Sequence, residues 1–314
     1  MDAAIIVAKQ CVVMLIFMFV GAALYKGKKI NKDGNVQIAK LLMTAVIPCM
    51  LVDATQVERT AERTRGFLVA IALGCAAHII GIVLERVVIG RRDGGEERKI
   101  AGFGVIYSNA GFMAIPLIRA AFGEEAAFYA VAYLLMFNLF SWTQGIALLS
   151  GGVKGISLKR MFLNPGVIGV TLSVVFYLTG VRLPELIATP ISAIGGMNTP
   201  LAMIICGMFA AQANLTQCLK NKMTYIVGAL RLLAIPITVM LLYKAAGAVI
   251  GGNEELRMIM SVSVISASCP VAVATSFMPA GLGMNGEKAS GFIVITTLVS
   301  LITIPLLVYV NSLF

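Results

Sequence analysis

Ten stretches of about 20 mostly apolar residues follow one another along the chain, and this repetition restricts the fold more than any single motif. A helix needs roughly 20 such residues to cross a membrane. Inside lipid, only helices and closed β-barrels satisfy every backbone hydrogen-bonding group. The sequence therefore predicts an all-α polytopic membrane protein. The ten predicted segments are residues 4–25, 36–55, 66–89, 99–121, 124–149, 164–181, 190–211, 222–246, 256–278 and 288–312.

Composition and charge support a membrane location. Of the 314 residues, 59% are hydrophobic and 13% are charged, whereas about a quarter of a soluble domain is charged. The net charge of +10 does not indicate nucleic-acid binding, because the basic residues lie in short loops between apolar segments. Loops after odd-numbered segments hold 16 Lys and Arg, including Arg91 and Arg92, and the opposite side holds 8. This bias predicts both termini outside the plasma (bacterial inner) membrane.

Sequence motifs of catalysis and metal binding are absent. The six cysteines have neither CxxC nor Cys/His spacing, so neither disulfides nor a metal site are expected. The sequence holds no GxxxxGK, HExxH or GxSxG pattern, so ATP hydrolysis, metalloprotease and serine hydrolase chemistry are not expected. We expect neither an enzyme nor a bound cofactor, and no nucleic-acid partner.

Segment 4 contains residues that interrupt a membrane helix. Its centre reads YSNAGFMAIP at residues 107–116. Pro116 has no N–H and clashes with the carbonyl four residues earlier, while Gly111 permits backbone angles that other residues avoid. Segment 9 has a similar feature at Pro270. We predict breaks near these two prolines, each followed by a short apolar piece (116–122 and 270–277), with an ordinary proline kink as the alternative.

The two breaks predict internal symmetry. Ten segments divide into two five-helix repeats, at residues 1–149 and 150–314, and an odd number of helices per half means that the second half is inverted. The broken helices 4 and 9 then occupy equivalent positions and cross near the midplane. Paired interruptions of this kind are a sequence indication of a binding site in transporters.

Residues at the two breaks form the predicted substrate site. Half-helix N-termini attract anions, and the Asn109 amide can donate to a carboxylate without a buried charge. Helix packing is the alternative role for Asn109. Hydroxyls near the second break could contact solute, or bond the carbonyls of their own helix. The predicted substrate-binding residues are Asn109, Gly111, Pro116, Ser268, Pro270 and Thr275.

Three ionisable residues are candidates for charge compensation or coupling. Arg231 is the basic residue deep inside a segment, where a charge indicates function by default. It could balance an anionic solute, pair with Asp53 or extend its guanidinium to the surface. Asp53 lies near the outer end of segment 2, where a solvated carboxylate is the alternative. His78 could relay protons or be a hydrogen-bonded core residue.

Polar residues on two further segments are candidates for the lining of a solute path. Asn138 and Ser141 lie three residues apart in segment 5, and Gln212 ends segment 7. Hydrogen bonding between helices is the alternative for these side chains.

Short motifs spread over essentially the whole chain carry a family resemblance. They are YSNAGF at 107–112, Pro116-Leu117, FGEE at 122–125, Asn138, NPGVIG at 164–169, Leu183-Pro184, TPL at 199–201, Gly207, Gln212 and Arg231. With these motifs in this order, the sequence resembles the auxin efflux carrier family, which includes plant PIN-type carriers and short-loop bacterial relatives.

The resemblance implies a secondary carrier of the bile-acid-symporter and sodium/proton-antiporter fold group. By this resemblance, residues 1–57 and 164–214 form a scaffold, and residues 66–149 and 222–314 form a moving transport domain. The crossover asparagine of the family maps onto Asn109. Its substrates are organic anions, auxin in plants and small carboxylates such as malate or malonate in bacteria.

We therefore expect a secondary transporter of a small organic anion, an exporter by resemblance, that works by elevator-type alternating access. A sodium- or proton-coupled uptake carrier and a non-transporting membrane sensor or scaffold are the alternatives. The chain lacks the long hydrophilic insert of plant carriers between segments 5 and 6, and its second crossover reads SCPV at 268–271, so auxin is not the expected substrate. Membrane lipid is an expected partner, and a homodimer is left open.

Overall fold

The computed structural model describes residues 2–90, 95–250 and 253–313. Arg91 and Arg92, which entered the count of basic residues, lie outside the described residues. Within those ranges the regular secondary structure is helical throughout. Two residues, Ser108 and Val271, form an isolated antiparallel bridge.

The principal helices are numbered here in chain order. They are α1 (Asp2–Lys26), α2 (Lys32–Ala54), α3 (Ala61–Val88), α4 (Gly95–Ile106), α5 (Ala110–Phe122), α6 (Glu124–Ser150), α7 (Pro165–Thr179), α8 (Glu185–Gln212), α9 (Lys222–Gly247), α10 (Glu254–Ser268), α11 (Ala274–Ala280) and α12 (Gly286–Ser312). Shorter helical turns lie at Val153–Gly155, Leu158–Phe162 and Leu215–Lys220.

The all-α prediction is confirmed over the described residues. Seven helices there are long and apolar enough to cross a membrane, namely α1, α2, α3, α6, α8, α9 and α12. They occupy predicted segments 1, 2, 3, 5, 7, 8 and 10, and the shorter α7 occupies segment 6. Predicted segments 4 and 9 are each split into two helices. The arrangement of all ten segments as two inverted repeats stays a prediction.

The first break lies earlier in the chain than the sequence predicted. Helix α4 ends at Ile106 and α5 begins at Ala110, so the prediction of a break near Pro116 is wrong. Pro116 lies instead at the start of an α-helical turn, directly after a π-helical turn at Ala110–Ala114. Wide π-turns leave backbone groups unpaired locally, and a proline without an N–H is tolerated at the start of a helical turn.

The second break lies close to Pro270, as predicted. Helix α10 ends at Ser268, and α11 begins at Ala274. The short piece after the break is therefore Ala274–Ala280 and not 270–277. The residues between the two helices are buried, with Cys269 and Val271 fully enclosed.

The start of α7 follows from a capping residue. The Asn164 side chain accepts hydrogen bonds from the Gly166 and Val167 N–H groups at the start of α7, where Pro165 takes the first helical position. Such a cap satisfies N–H groups that have no intrahelical acceptor, and proline suits the position after it. This places the amide of Asn164 at a fixed point at the start of α7.

Helices α1 and α8 approach each other unusually closely. A Cβ atom at Gly21 would lie 2.0 Å from the Ile204 carbonyl oxygen, and one at Gly207 would lie 1.9 Å from the Met18 carbonyl oxygen. Only glycine fits at both places. Small residues let membrane helices pack backbone to backbone, where dispersion contacts are densest.

Candidate functional site

The two breaks contact each other through their backbones. The Asn109 N–H donates to the Pro270 carbonyl at 2.7 Å, and the Ala272 N–H donates to the Tyr107 carbonyl at 3.0 Å. Non-helical backbone in an apolar interior needs such partners, because an unpaired polar group there costs several kcal/mol. Each break therefore satisfies main-chain groups of the other, and α4, α5, α10 and α11 meet at one point.

Arg231 ties together the C-terminal ends of α4 and α10. One guanidinium nitrogen, Nη1, donates to the carbonyls of Val105 and Ile106 at 2.9 and 3.0 Å, and Nη2 donates to the Ala267 carbonyl. The side chain is 1% exposed. A cation at helix C-termini offsets their partial negative charge, so the guanidinium stabilises both interrupted helices at once.

The observed partners of Arg231 differ from two of the three predicted for it. Its guanidinium does not extend to the surface, and it does not pair with Asp53. The Asp53 carboxylate instead lies 3.4 Å from Nη2 of Arg119, whose Nε lies 2.7 Å from Glu124. The guanidinium binds carbonyls of the interrupted helices because these carbonyls lie at helix C-termini and have no intrahelical donor.

A cavity of about 120 Å³ lies beside the meeting point of the two breaks. Residues from both breaks line it, together with residues from α2, α6 and the start of α7. Its polar lining residues are Ser108, Asn109, Asn138, Ser141 and Asn164, and no described carboxylate lines it. Phe112, Phe137, Trp142 and Phe277 contribute aromatic surface. The cavity thus combines amides and hydroxyls with apolar walls.

Among the residues that line this cavity, Asn109 is the one whose side chain is best suited to bind a solute. Its side chain is 4% exposed, and its Nδ2 has no acceptor in the part of the chain that the structure describes. A buried donor without a partner is costly and requires an explanation. Helix α5 starts at the next residue, Ala110. Its Phe112 and Met113 N–H groups donate to the Asn109 carbonyl, whereas the N–H groups of Ala110 and Gly111 precede the first intrahelical hydrogen bond. The amide and the positive end of α5 therefore lie together at the cavity.

Comparison with known proteins identifies the family. The model of the family described as "Membrane transport protein" matches this chain over residues 6–155 and 151–308. The chain belongs to this family of membrane transport proteins. The match supports the resemblance to auxin efflux carriers that the sequence motifs carried.

Two relatives are named as transporters. An "Uncharacterized transporter" of Methanothermobacter thermautotrophicus is 30% identical over 222 residues, which cover 69% of this chain and 70% of that protein. A "Putative malonate transporter" of Rhizobium meliloti is 26% identical over 269 residues, which cover 82% of this chain and 80% of the relative. Membership of a transport family accounts for the apolar helices and gives the cavity a role to be tested.

Other residues predicted for the substrate site divide into those at the cavity and those away from it. Gly111 lines the cavity. Thr275 is fully buried with no partner for its Oγ1 among the described residues, and Ser268 donates to the Val264 carbonyl of its own helix. Pro270 contributes its carbonyl to the contact between the breaks. Pro116 lines a separate hollow of about 290 Å³.

His78 lies behind the cavity in an aromatic cluster. Its Nδ1 is 2.7 Å from the Gly74 carbonyl, and its Nε2 has no partner among the described residues. The imidazole stacks on Phe140 with 5.4 Å between ring centroids, and lies 5.0 Å from the ring of Tyr133. The Tyr133 hydroxyl is in turn 3.3 Å from the Ser108 hydroxyl at the cavity wall. The ring of Tyr133 therefore contacts His78 on one side, and its hydroxyl lies beside Ser108 on the other.

The three residues predicted as polar lining are not all brought together. Asn138 and Ser141 line the cavity, and Ser141 begins a π-helical turn in α6. Gln212 does not line it, and its amide donates to the Met208 carbonyl one turn earlier in α8. The three-residue spacing within segment 5 predicts that Asn138 and Ser141 share one face of the helix. Gln212 lies on a different helix, and the orientation of that helix relative to the cavity does not follow from spacing along the chain.

Sequence reasoning missed Ser108, Asn164 and Trp142 as lining residues. Ser108 adjoins Asn109 in the first break, so its neighbour was already a signal. Asn164 was recognised within a family motif, and its position before a proline is typical of a helix cap. Trp142 gave no signal, because a tryptophan in an apolar segment is equally suited to the core or to the membrane interface.

Proposed function

We propose that this chain is a secondary transporter of a small organic anion and that the cavity beside the two breaks holds the carboxylate of its solute. The observation that carries the proposal is the unpartnered Asn109 amide at the N-terminal end of α5. Both groups offer hydrogen-bond donors, and a carboxylate is an acceptor with two oxygens. The relative named as a malonate transporter supports a carboxylate as the solute class.

Each part of the cavity has a proposed task. The Asn109 Nδ2 donates to one carboxylate oxygen, and the first N–H groups of α5 donate to the other. Hydroxyls of Ser108 and Ser141 replace water at the solute surface. The aromatic side chains contact the carbon skeleton and set its size. Donors without a full positive charge favour exchange, because they hold an anion less tightly than a buried cation would.

We propose an elevator-type shift of the crossover against a scaffold as the transport step. Residues 1–57 and 164–214 form the scaffold in this proposal, and residues 66–149 and 222–314 move with the cavity. The close backbone packing of α1 on α8 supports a rigid scaffold. The shared hydrogen bonds of the two breaks and Arg231 support a crossover that moves as one body. Export is the proposed direction, from the family resemblance.

Proton-coupled uptake is the second candidate function. The observation that favours it is the unpartnered Nε2 of His78, whose ring packs against Tyr133, the residue whose hydroxyl lies 3.3 Å from the Ser108 hydroxyl at the cavity. Protonation of His78 would place a positive charge near the bound anion. In this candidate, replacement of His78 by Gln removes the proton dependence of transport while solute binding remains.

Vesicles that contain the purified protein test both candidates. Vesicles loaded with unlabelled malonate are diluted into trace labelled malonate, and uptake by exchange is measured with and without an imposed proton or sodium gradient. Exchange without any gradient supports the first candidate, and acceleration by a proton gradient supports the second. Absence of flux for malonate, malate and a panel of mono- and dicarboxylates, from a protein that remains folded, would overturn both and favour a sensor.

A further inference from the structure

Hydrogen bonds within the protein determine which polar atoms of the cavity beside the two breaks are left for a solute. On the crossover side, the Asn109 Nδ2 is a donor without an acceptor among the described residues. At the start of α7, the Asn164 Oδ1 accepts from two main-chain N–H groups, so its Nδ2 is the atom left to donate. Both of these amides therefore offer donors to the cavity.

Helix α6 offers the opposite chemistry. The Asn138 Nδ2 donates to the Leu134 carbonyl at 2.8 Å, so its Oδ1 is the atom left, and this atom can only accept. The Ser141 hydroxyl donates to the Asn138 carbonyl at 3.2 Å, so its oxygen also has lone pairs left to accept. Ser141 is 1% exposed, and in the described part of the chain neither oxygen receives a hydrogen bond. Helix α6 therefore brings two acceptors to the cavity.

These acceptors lie apart from the first turn of α5. Leu134 lies beside that turn, because a Cβ atom at Gly111 would be 3.7 Å from its Cδ2. Asn138 follows four residues later, about 6 Å further along α6 at 1.5 Å per residue. A Cβ atom at Gly166 would be 3.2 Å from the Asn138 Oδ1, so this oxygen lies beside the start of α7. One small solute can thus contact the start of α5 and the acceptors of α6 at once.

We propose that the solute carries an O–H group in addition to its carboxylate, and that Asn138 and Ser141 accept hydrogen bonds from this O–H. A carboxylate has only acceptor oxygens, so it suits Asn109 and would leave the acceptors of α6 unpaired. An ammonium group could donate to them, but no described carboxylate lines the cavity to pair with its charge, and a buried unpaired charge is costly.

A hydroxyl, or a second carboxyl group in its protonated form, supplies the missing donor without a charge. The solute class is therefore a small carboxylate with a further O–H, and Asn138 and Ser141 determine this specificity. The inference rests on the proposed function, since it requires a carboxylate held at Asn109.

Two pairs of solutes of nearly equal size test the proposal, 3-hydroxypropionate with butyrate and lactate with isobutyrate. In each pair a methyl group replaces the hydroxyl. Isothermal titration measures their binding to the full-length protein in detergent. We expect a hydroxy acid to bind about tenfold more tightly than its methyl counterpart in at least one pair, because the methyl group leaves buried acceptors unpaired. In Asn138→Leu this preference should disappear, and in Ser141→Ala it should be reduced, with no loss of affinity for the methyl compounds.

Gln212→Leu is the matched control. The Gln212 amide donates to a carbonyl one turn earlier, as the Asn138 amide does, but Gln212 does not line the cavity, so the preference should persist. Equal affinities within both pairs, or a preference that survives both Asn138→Leu and Ser141→Ala, would overturn this inference and leave the proposed function intact. Absence of binding by all four compounds and by malonate would overturn the proposed function and the inference together. If size-exclusion profiles show that Asn138→Leu does not fold, Ser141→Ala decides.

Discussion

At the scale of single residues, Asn109 is the group on which the proposed chemistry depends most. Its amide is buried at the cavity, and its Nδ2 has no acceptor among the described residues. We expect Asn109→Ala to weaken carboxylate binding at least tenfold, since a hydrogen bond to a charged group contributes about 1.5–3 kcal/mol. Thermal stability should change little, because no protein hydrogen bond of that donor is lost. Isothermal titration and a melting curve measure the two quantities.

Gln212→Ala is the matched control for this amide. Gln212 donates within its own helix and does not line the cavity, so binding should be unchanged. If Asn109→Ala lowers the free energy of unfolding by as much as it lowers the free energy of carboxylate binding, the side chain serves helix packing. The proposed contact with solute would then be wrong.

At the scale of helices, the guanidinium of Arg231 joins the C-terminal ends of α4 and α10. Arg231→Met leaves three main-chain carbonyls without their donor, and each buried unsatisfied group costs about 1–3 kcal/mol. We expect a destabilisation of about 3 kcal/mol or more, measured by thermal unfolding in detergent. Arg231→Lys should recover only part of the stability, because an ammonium lacks the planar fork that reaches both helix ends. Normal stability of Arg231→Met combined with lost binding would instead assign the charge to the solute.

The contact between α1 and α8 gives a second prediction at this scale. A Cβ at Gly207 would lie 1.9 Å from the Met18 carbonyl oxygen, so Gly207→Ala must push the two helices apart, at a cost of about 1–3 kcal/mol. Gly196→Ala in the same helix α8 is the control, because no atom lies within 4 Å of its Cβ position. The melting temperature should fall for Gly207→Ala and stay unchanged for Gly196→Ala. Equal melting temperatures would mean that the interface is looser than described.

The apolar segments of helix length and the helix-breaking residues predicted much of this architecture. Contacts between residues far apart in the chain did not follow from them. Apolar length located the helices, and the run from Tyr107 to Pro116 marked a break. Proline chemistry pointed to Pro116, whereas the break lies at residues 107–109, where Pro270 and Ala272 supply main-chain partners. Those partners are more than 160 positions away. The role of Arg231 was hidden for the same reason, since its acceptors on α4 lie 125 and 126 positions away.

At the scale of the whole molecule, the proposed moving domain can be tested by tethering. Lys32 and Glu287 form an ion pair of 2.6 Å that joins the proposed scaffold to the proposed moving domain. In a variant without the six native cysteines, Lys32→Cys/Glu287→Cys linked by a short bismaleimide should stop transport. The measurement is labelled carboxylate exchange in vesicles before and after linkage.

Glu96 and Lys288 provide the matching tether inside the proposed moving domain. They form an ion pair of 2.9 Å, and linking Glu96→Cys to Lys288→Cys should leave exchange intact. Transport that survives the first tether, or stops with both, would contradict the division into scaffold and moving domain.

The main-chain bonds between the breaks have a thermodynamic consequence. The Asn109 N–H, the Pro270 carbonyl and Arg231 belong to one hydrogen-bonded junction. If this junction moves as one body in the proposed elevator-type shift, a solute from either face of the bilayer would meet the same donors at the same spacing. Half-saturation should then be nearly symmetric for the two faces once membrane voltage is removed. A carrier of this kind would run in either direction, and the proposed export would then follow from a higher concentration of the solute inside the cell than outside it.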